Sequence, residues 1–497
     1  MTETRHDKLL NFINGEWVES ASGRTVDNVN PADTRQILGT CTKSTQAETE
    51  AAIAAAKAAQ TAWRRTPAPV RGRVIFDAMR IMAERKEQIA TALCLEEGKT
   101  LAESRGEVQK SINVLEFMSG ESRRLTGQTI PSEMSKTFAY TVRAPLGVVG
   151  LITPWNFPVC IPVWKIAPAL LTGNSIVFKP ATITPWTAKL VTECFADAGT
   201  PKGVINLVFG GGREVGGTIT DHPDVAALSF TGSNEVGTKL YEAGSRTLKK
   251  VQCEMGGKNP LIVMDDADIE LAAVATVQGA FGSTGQRCTA TSRAVVHEAV
   301  ADAFVARLVA LTKEITVGNG MQDGMGMGPS VDEGQMNTVL GFHETAKEEG
   351  LVALCGGDRL TDGDLAHGYF TAPTIYDHVP RTSRLAQEEI FGPVLSVIRV
   401  GSWDEAIEAA NDVVYGLTSS VFTKDVARAM EYVDEIETGM LHVNSPTVGG
   451  ESQLPFGGMK ATGVGQREMG PTAIDFFTEW KTVYVDYTGS KRESKIY

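Results

Sequence analysis

Short apolar runs alternate regularly with amphipathic stretches between residues 147 and 253. Apolar runs of about four to eight residues are typical of buried strands, whereas apolar positions three and four apart are typical of helices. The predicted strands are 147–152, 175–178, 204–208, 226–230 and 249–253, and the helices predicted between them are about 159–172, 184–198, 213–220 and 234–246. This alternation predicts a doubly wound parallel sheet.

Chemically useful residues follow every predicted strand of this sheet. They are Thr153, Trp155 and Asn156 after the first strand, Lys179 after the second, 210–212 after the third, Gly232 and Ser233 after the fourth, and Glu254 after the fifth. Ligands of doubly wound sheets bind beyond the carboxyl ends of the strands. We therefore expect a binding site at this edge.

The flanking segments predict a second α/β region and a separate β element. Strands are predicted at 260–264, 292–296, 394–400, 417–422 and 440–443, and helices at 268–281, 299–313, 334–349, 403–411 and 425–436. Before residue 126 the pattern predicts helices over 44–63, with Ser44 as N-cap, 69–97 and 104–125. Apolar and polar residues alternate at 137–143 and at 480–487, and the second run is a strand that needs a neighbour, which another subunit could supply.

Composition and charge argue against nucleic acid and membranes as binding partners. The chain has 497 residues, with 47 basic and 60 acidic side chains and a net charge of −13. Without a basic block it is unsuited to nucleic acid or an anionic membrane surface. The stretch 147–164 is apolar but contains three prolines, and the polar start at 1–8 lacks the apolar core of a secretory signal.

The cysteines and histidines predict a reducing environment without metal chemistry. Seven cysteines are scattered along the chain without a CxxC pair, and seven histidines are equally dispersed. This usage fits free thiols in the cytoplasm and offers no zinc ligand spacing. We therefore predict a cytoplasmic protein that needs no metal.

Three residues are candidates for covalent chemistry. Cys288 lies in a loop of glycines and hydroxyls, where the adjacent Arg287 could favour the thiolate, although an inert buried cysteine is the commoner outcome. Glu254 would be partly desolvated and suited to general-base work, or it would pair with Lys258 or cap a helix. Asn156 offers a neutral donor for an oxyanion, or it is a turn residue.

Glycine turns are weaker signals of phosphate binding. The segment 232–237 opens a predicted helix, whose N-terminal N–H groups attract anions, but a plain strand-to-helix turn explains it equally well. The glycines at 210–212 are similarly ambiguous, and the acid and ring at 389–391 could form a surface turn.

Taken in order, the motifs resemble those of the NAD(P)-dependent aldehyde dehydrogenase superfamily over nearly the whole chain. The motifs are 154–158 (PWNFP), 179–180 (KP), 230–233 (FTGS), 254–258 (EMGGK), 285–288 (GQRC), 389–393 (EIFGP) and 455–458 (PFGG). The resemblance implies that Cys288 is the nucleophile, that Glu254 activates water and that Asn156 holds the oxyanion.

The resemblance also implies binding residues. The expected cofactor residues for NAD or NADP are Thr153, Trp155, Lys179, Thr182, Gly212, Gly232, Ser233, Glu389 and Phe391, and the expected substrate residues are Trp164, Arg287, Ser445 and Phe456. Lys179 would contact the adenosine ribose, Ser233 the pyrophosphate and Glu389 the nicotinamide ribose.

The fold implied by the resemblance is α/β: a Rossmann-like parallel-sheet cofactor domain, an α/β catalytic domain and a β oligomerisation arm. The cofactor domain would span 1–125 and 147–255, the catalytic domain 256–462, and the arm 126–146 and 463–497. Such an arm implies a homodimer or homotetramer acting on a small-molecule aldehyde.

Short local segments bear on which substrate and which cofactor are preferred. The segments 285–290 and 444–451 resemble bacterial semialdehyde dehydrogenases, which favours 2-oxoglutarate semialdehyde over succinate semialdehyde or a general aliphatic aldehyde. Family members that pass the acyl group to coenzyme A lack the glutamate at position 254, and the intact catalytic set disfavours a non-catalytic protein. Thr182 stands where many NAD-specific relatives have a glutamate, so we expect NADP to be accepted.

Overall fold

The computed structural model describes residues 4–489, so the predicted arm end at 490–497 and the first three residues of the predicted cofactor domain lie outside the described residues. The strands in chain order are β1 Asn11–Ile13, β2 Glu16–Val18, β3 Thr25–Val29, β4 Ile37–Thr42, β5 Thr129–Ile130, β6 Thr137–Pro145, β7 Val148–Ile152, β8 Ser175–Lys179, β9 Ile205–Leu207, β10 Val225–Thr231, β11 Lys250–Glu254, β12 Asn259–Val263, β13 Thr291–His297, β14 Ala353–Cys355, β15 Thr374–Tyr376, β16 Val394–Val400, β17 Tyr415–Gly416, β18 Thr418–Phe422, β19 Met440–Val443, β20 Met459–Lys460, β21 Gly463–Val464 and β22 Thr478–Asp486.

Fifteen α-helices lie among residues 4–489, three more than the pattern predicts, because the predicted helix over 69–97 is divided into two and the short helices Arg384–Gln387 and Gly470–Phe476 were not predicted. They are α1 Gln46–Arg65, α2 Ala68–Glu84, α3 Lys86–Glu97, α4 Leu101–Glu121, α5 Cys160–Leu171, α6 Pro185–Asp197, α7 Gly217–Asp221, α8 Asn234–Ser245, α9 Ile269–Phe281, α10 Glu298–Lys313, α11 Glu333–Glu348, α12 Arg384–Gln387, α13 Trp403–Asn411, α14 Val426–Glu435 and α15 Gly470–Phe476, with short 3₁₀ or π turns at Gly212–Gly216, Gly282–Gly285 and Gly363–His367.

The first sheet has eight strands in the order β2-β1-β9-β8-β7-β10-β11-β21. Its five central strands are parallel, and they are the five strands predicted from the apolar runs. Their carboxyl ends therefore meet along one edge, which is where the sequence places its polar residues. The predicted α/β class is confirmed.

The second sheet has seven strands in the order β14-β15-β16-β13-β12-β18-β19. All except the outer strand β14 run parallel to their neighbours. Only the residues between Glu254 and Asn259 separate β11 of the first sheet from β12 of the second. This short crossing brings the active edges of the two sheets together.

A three-stranded sheet, β22-β6-β5, forms the third β element. The alternating run near residue 480 finds its neighbour within the same chain, because β22 pairs antiparallel with β6 along nine residues, from Thr478 opposite Pro145 to Asp486 opposite Thr137. The strand β21, at the start of the predicted arm segment, instead extends the first sheet beside β11. The predicted domain bounds stay predictions.

One helix start differs from its prediction. The N-cap of α1 is Thr45, which forms a capping box with Glu48. Ser44 is buried, and its hydroxyl donates to Asn11 Oδ1 at 2.9 Å. It therefore bonds to strand β1 and does not cap the helix. Adjacent hydroxyls make either assignment reasonable from sequence alone.

Two searches of the described part of the chain bear on the class of protein. Among residues 4–489, no helix combines the length and apolar character needed to cross a membrane. Within the same residues, no three or more histidine, cysteine, aspartate or glutamate side chains are grouped so as to hold a metal ion. All seven cysteines are free.

Candidate active site

A cavity of about 680 Å³ opens at the carboxyl edge of the first sheet. Seven of the nine residues predicted to bind a cofactor line it, namely Thr153, Trp155, Lys179, Thr182, Gly212, Gly232 and Ser233. These residues come from the loops after β7, β8, β9 and β10, so the parallel order of the strands is what gathers them. The remaining two, Glu389 and Phe391, line an adjoining crevice with Gly257 and Gly285.

The wall of this cavity suits an anionic ligand, because its glycines let the ligand lie close to the backbone. A Cβ built on Gly211, Gly212 or Gly217 would meet nothing within 4 Å, so these glycines leave open space at the wall. Ser233 is the N-cap of α8, whose first N–H groups and dipole attract negative charge. The residues present therefore fit the phosphates of a dinucleotide.

Lys179 is a buried cation at the end of β8. Its Nζ donates to the backbone oxygen of Pro180 at 3.0 Å, and burial lowers its pKa to about 8. The lysine therefore keeps most of its charge at neutral pH and loses it in moderately alkaline solution.

Two glycines of the 254–258 motif allow Glu389 to approach the crossing between the sheets. The N–H of Gly257 donates to Glu389 Oε1 at 3.0 Å, and a Cβ on Gly256 would lie 2.0 Å from Glu389 Oε2. Burial raises the pKa of Glu389 to about 7. The ring of Phe391 meets Trp155 edge-on, with 5.4 Å between centroids, and so joins the crevice to the larger cavity.

Cys288 lies at the end of a tightly wound loop. Ser283 and Thr284 both adopt positive φ angles, of 49° and 58°, a conformation that is costly for residues other than glycine. The side chain of Asn259 fixes the far end of the loop, because its Nδ2 donates to the backbone oxygen of Cys288 at 2.7 Å. Strain held in place by hydrogen bonds is common at catalytic loops.

The charge environment of Cys288 differs from the prediction. Arg287 was expected to favour the thiolate, but its guanidinium donates to Ser283 Oγ and pairs with Glu103 at 3.3 Å. Burial, followed by the charges of Glu389 and Glu254, raises the pKa of Cys288 to about 12. Without a further positive charge or a base, the thiol form therefore dominates at neutral pH.

Asn156 is held rigidly between two parts of the structure. Its Nδ2 donates to the backbone oxygen of Gln286, in the Cys288 loop, at 3.0 Å. Its own backbone oxygen accepts a hydrogen bond from Lys99 at 2.6 Å, and Lys99 also pairs with Glu107 at 2.7 Å. One hydrogen of the Asn156 amide thus anchors the side chain beside the loop and leaves the other for a ligand.

Glu254 is buried at the end of β11. Burial, and then the charge of Glu468, raises its pKa well above that of an ordinary glutamate. Among residues 4–489 its Oε2 has no hydrogen-bond partner, and the same is true of Lys258 Nζ, so the alternative of a Glu254–Lys258 ion pair is wrong. A carboxylate in such surroundings is a strong base when ionised.

Gly457 explains how Glu254 is accommodated. Its φ of +147° is rare for L side chains, and a Cβ there would lie 2.3 Å from Glu254 Oε1. The glycine of the 455–458 motif therefore makes room for the carboxylate. On the other side, Lys165 donates to Ser229 at 2.8 Å and also pairs with Glu468.

A second cavity, of about 290 Å³, contains Cys288 in its wall. Of the predicted substrate residues, Trp164, Arg287 and Phe456 line it, and the rings of Trp164 and Phe456 lie 5.2 Å apart. Ser445 does not belong to the lining: its backbone oxygen accepts from Ser420 Oγ at 2.5 Å, and its loop reaches the cavity only further on, at 448–450. The assignment of Ser445 to the substrate therefore stays a prediction that this cavity does not support.

Comparison with known proteins agrees with this geometry. The sequence profile described as the aldehyde dehydrogenase family matches residues 17–483. The chain belongs to this family. The prediction of an aldehyde dehydrogenase, made from the order of the motifs, is thereby confirmed.

Two relatives and one solved structure illustrate the similarity. The α-ketoglutaric semialdehyde dehydrogenase of Bacillus subtilis is 47% identical over 482 residues, which is 97% of this chain and 99% of that protein. The 2,5-dioxopentanoate dehydrogenase of Saccharolobus solfataricus is 44% identical over 472 residues, 94% of this chain and 98% of that protein. The crystal structure of betaine aldehyde dehydrogenase from Staphylococcus aureus in complex with NAD+ has a TM-score of 0.94 at 36% identity, covering 98% of this chain and 95% of that one.

Several residues of this aldehyde dehydrogenase site were missed by sequence reasoning. Lys110 lines the Cys288 cavity together with Glu103 and Glu107. Their spacing of three and four places on one helix was a signal, since such positions share a face. Glu468 carries no local signal, because it reaches Glu254 only through tertiary packing.

Proposed function

We propose that the chain oxidises α-ketoglutarate semialdehyde, also called 2,5-dioxopentanoate, to the dicarboxylate, with NAD or NADP accepting the hydride. The observation that carries the proposal is the identity of 47% over nearly the full length with a Bacillus subtilis enzyme named for this substrate. A relative named for the same compound is 44% identical. Cys288, Glu254 and Asn156 supply the chemistry that the oxidation needs.

The reaction begins at Cys288. Its sulfur, as the thiolate, attacks the aldehyde carbon and forms a thiohemiacetal. The oxyanion formed in this step is held by the free hydrogen of the Asn156 amide and by the backbone N–H of Cys288. Because Lys99 and Gln286 both bind Asn156, this donor is fixed before the substrate arrives.

The second half of the reaction depends on Glu254. Loss of a hydride from the thiohemiacetal carbon leaves a thioester on Cys288. Glu254 takes a proton from water, which attacks the thioester carbon and releases the carboxylic acid and the Cys288 sulfur. Burial beside Glu468 raises the pKa of Glu254 and so makes the carboxylate a better base for this proton.

The cofactor, when bound, supplies the hydride acceptor. The residues that would hold it are Lys179 and Thr182 at the adenosine ribose, the N-terminus of α8 with Ser233 at the pyrophosphate, and Glu389 at the nicotinamide ribose. With Thr182 in place of a carboxylate, position 182 adds no negative charge against the additional phosphate of NADP.

We further propose a homodimer or homotetramer that works in the cytoplasm. The three-stranded sheet supports the assembly, because Ile130, Phe138, Trp480 and Tyr484 are exposed on it. Seven free thiols support a reducing compartment.

A panel of aldehydes tests the substrate. We expect kcat/KM, followed by NAD(P)H absorbance, to be highest for α-ketoglutarate semialdehyde, with succinate semialdehyde, pentanal and benzaldehyde below it. A neutral aldehyde that wins by tenfold or more, about 1.4 kcal/mol, would refute the proposal.

A further inference from the structure

Lys110 stands at the junction of two cavities. It lines the cavity of about 290 Å³ that contains Cys288, and it also lines an outer cavity of about 760 Å³ that reaches Glu116 and Glu451. Its ammonium lies 5.5 Å from the centroid of the Trp164 ring. Lys110 is therefore a cation that belongs to the walls of both cavities.

The ammonium of Lys110 has no ionic partner among residues 4–489. Arg287, the other cation of the inner cavity, pairs with Glu103 at 3.3 Å and donates to Ser283. Glu107 accepts from Lys99 and from the backbone N–H groups of Val159 and Cys160. Lys110, by contrast, has no ion pair or hydrogen bond to any of residues 4–489, and its contact is the face of Trp164.

The loop opposite Lys110 leaves room for a ligand. A Cβ built on Gly450 would lie 3.5 Å from Lys110 Nζ, so the glycine gives the ammonium free access to the cavity. A Cβ on the preceding Gly449 would meet nothing within 4 Å. The charge of Lys110 also reaches the nucleophile, since it opposes the rise in the pKa of Cys288.

We propose that Lys110 binds the distal carboxylate of the substrate and so selects acid-bearing aldehydes over neutral ones. The inference rests on the proposed function, which places a carboxylate at the far end of the carbon chain from the aldehyde. Cys288 and Lys110 line the same cavity, so an aldehyde carbon at Cys288 leaves that carboxylate in a chamber whose unpaired cation, among residues 4–489, is Lys110. Arg287 is the weaker candidate, because binding substrate would cost it the contacts with Glu103 and Ser283.

Two substrates and three variants test the proposal. Lys110→Met keeps the length of the side chain and removes its charge, Lys110→Arg keeps the charge, and Arg105→Met removes a cation from the same helix that is exposed and paired with Glu87. Initial rates are measured with α-ketoglutarate semialdehyde and with pentanal. Any general effect on the Cys288 thiol acts on both substrates, so the ratio of their kcat/KM values isolates carboxylate binding.

We expect Lys110→Met to raise KM for the acid about 10- to 100-fold, as for a lost charged hydrogen bond, with kcat within about threefold. Pentanal should change less than about threefold, Lys110→Arg should recover most of the loss, and Arg105→Met should match the wild type. A ratio unchanged in Lys110→Met, in an enzyme whose wild type prefers the acid, overturns the role of Lys110 and leaves the proposed function intact. A wild type that prefers pentanal overturns the proposed function itself.

Discussion

Lys99 donates a hydrogen bond across 2.6 Å to the backbone oxygen of Asn156, so a fully buried lysine fixes the residue that we propose as the oxyanion donor. The same ammonium pairs with Glu107 and lies 4.0 Å from the ring centroid of Phe157. Asn156 is therefore held by Lys99, just before helix α4, as well as by the Cys288 loop.

We predict that Lys99→Met lowers the free energy of unfolding by about 3–5 kcal/mol, because it leaves buried carboxylates without a countercharge. Urea denaturation measures the loss. Lys86→Met is the control: this lysine is half-buried and donates to Gln109 in an exposed hydrogen bond, so its loss should change stability by no more than about 0.5 kcal/mol. Equal effects of the two substitutions would contradict the role of Lys99.

Glu254→Gln should separate the two halves of the reaction. Hydride loss needs no activated water, so rapid mixing should show a burst of NAD(P)H near one equivalent, followed by a slow steady state. Loss of the burst together with turnover would mean that Glu254 also acts earlier, for instance by deprotonating Cys288.

The same residue sets a pH dependence. Water activation requires ionised Glu254, and burial beside Glu468 raises its pKa. When hydrolysis limits the rate, kcat should therefore fall with decreasing pH at a higher pH than an ordinary glutamate would give. A flat profile down to about pH 5, close to the normal glutamate value, would contradict this.

Gly457→Ala should resemble a mild form of the Glu254 variant. The added Cβ would lie 2.3 Å from Glu254 Oε1, so the carboxylate must move and hydrolysis should slow while the burst remains. Gly199→Ala is the matched control, because Gly199 also has a positive φ, of +84°, but a Cβ there meets nothing within 4 Å. Slowing in both variants alike would indicate backbone strain and not contact with Glu254.

Cys288→Ala should abolish oxidation of every aldehyde while NAD(P) binding stays measurable. In the wild type, a pKa of about 12 predicts that alkylation of Cys288 by iodoacetamide accelerates about tenfold per pH unit between pH 7 and 9. Peptide mass spectrometry follows this residue separately from Cys355, which is also half-buried. A rate independent of pH would show that the thiolate is already formed.

Thr182→Glu should reduce kcat/KM for NADP selectively, because the new carboxylate repels a 2′-phosphate. In the wild type, the ratio of NADP to NAD activity should fall as pH rises through about 8, where Lys179 loses its charge. Equal losses for both cofactors in the variant, or a wild type inactive with NADP, would refute the assignment.

The sequence predicted the central strands because each is a short, largely apolar run between two helical patterns, although β11 also carries Lys250 and Gln252. It also predicted Cys288 and Glu254, whose motifs are local. It could not predict that Arg287 is occupied by Glu103, that Glu468 faces Glu254, or that Lys110 is free. These facts depend on side chains that are distant in sequence, and only packing of the two sheets brings them together.

The pairing of β22 with β6 has a consequence for biosynthesis. Arg143 Nη1 donates to Thr478 Oγ1, 335 positions further along the chain. Because β22 follows β6 by more than 300 positions, β6 must wait for β22 to be synthesised with one edge unpaired. Exposed strand edges favour aggregation, so the growing chain would need protection by chaperones until β22 has emerged and paired with β6.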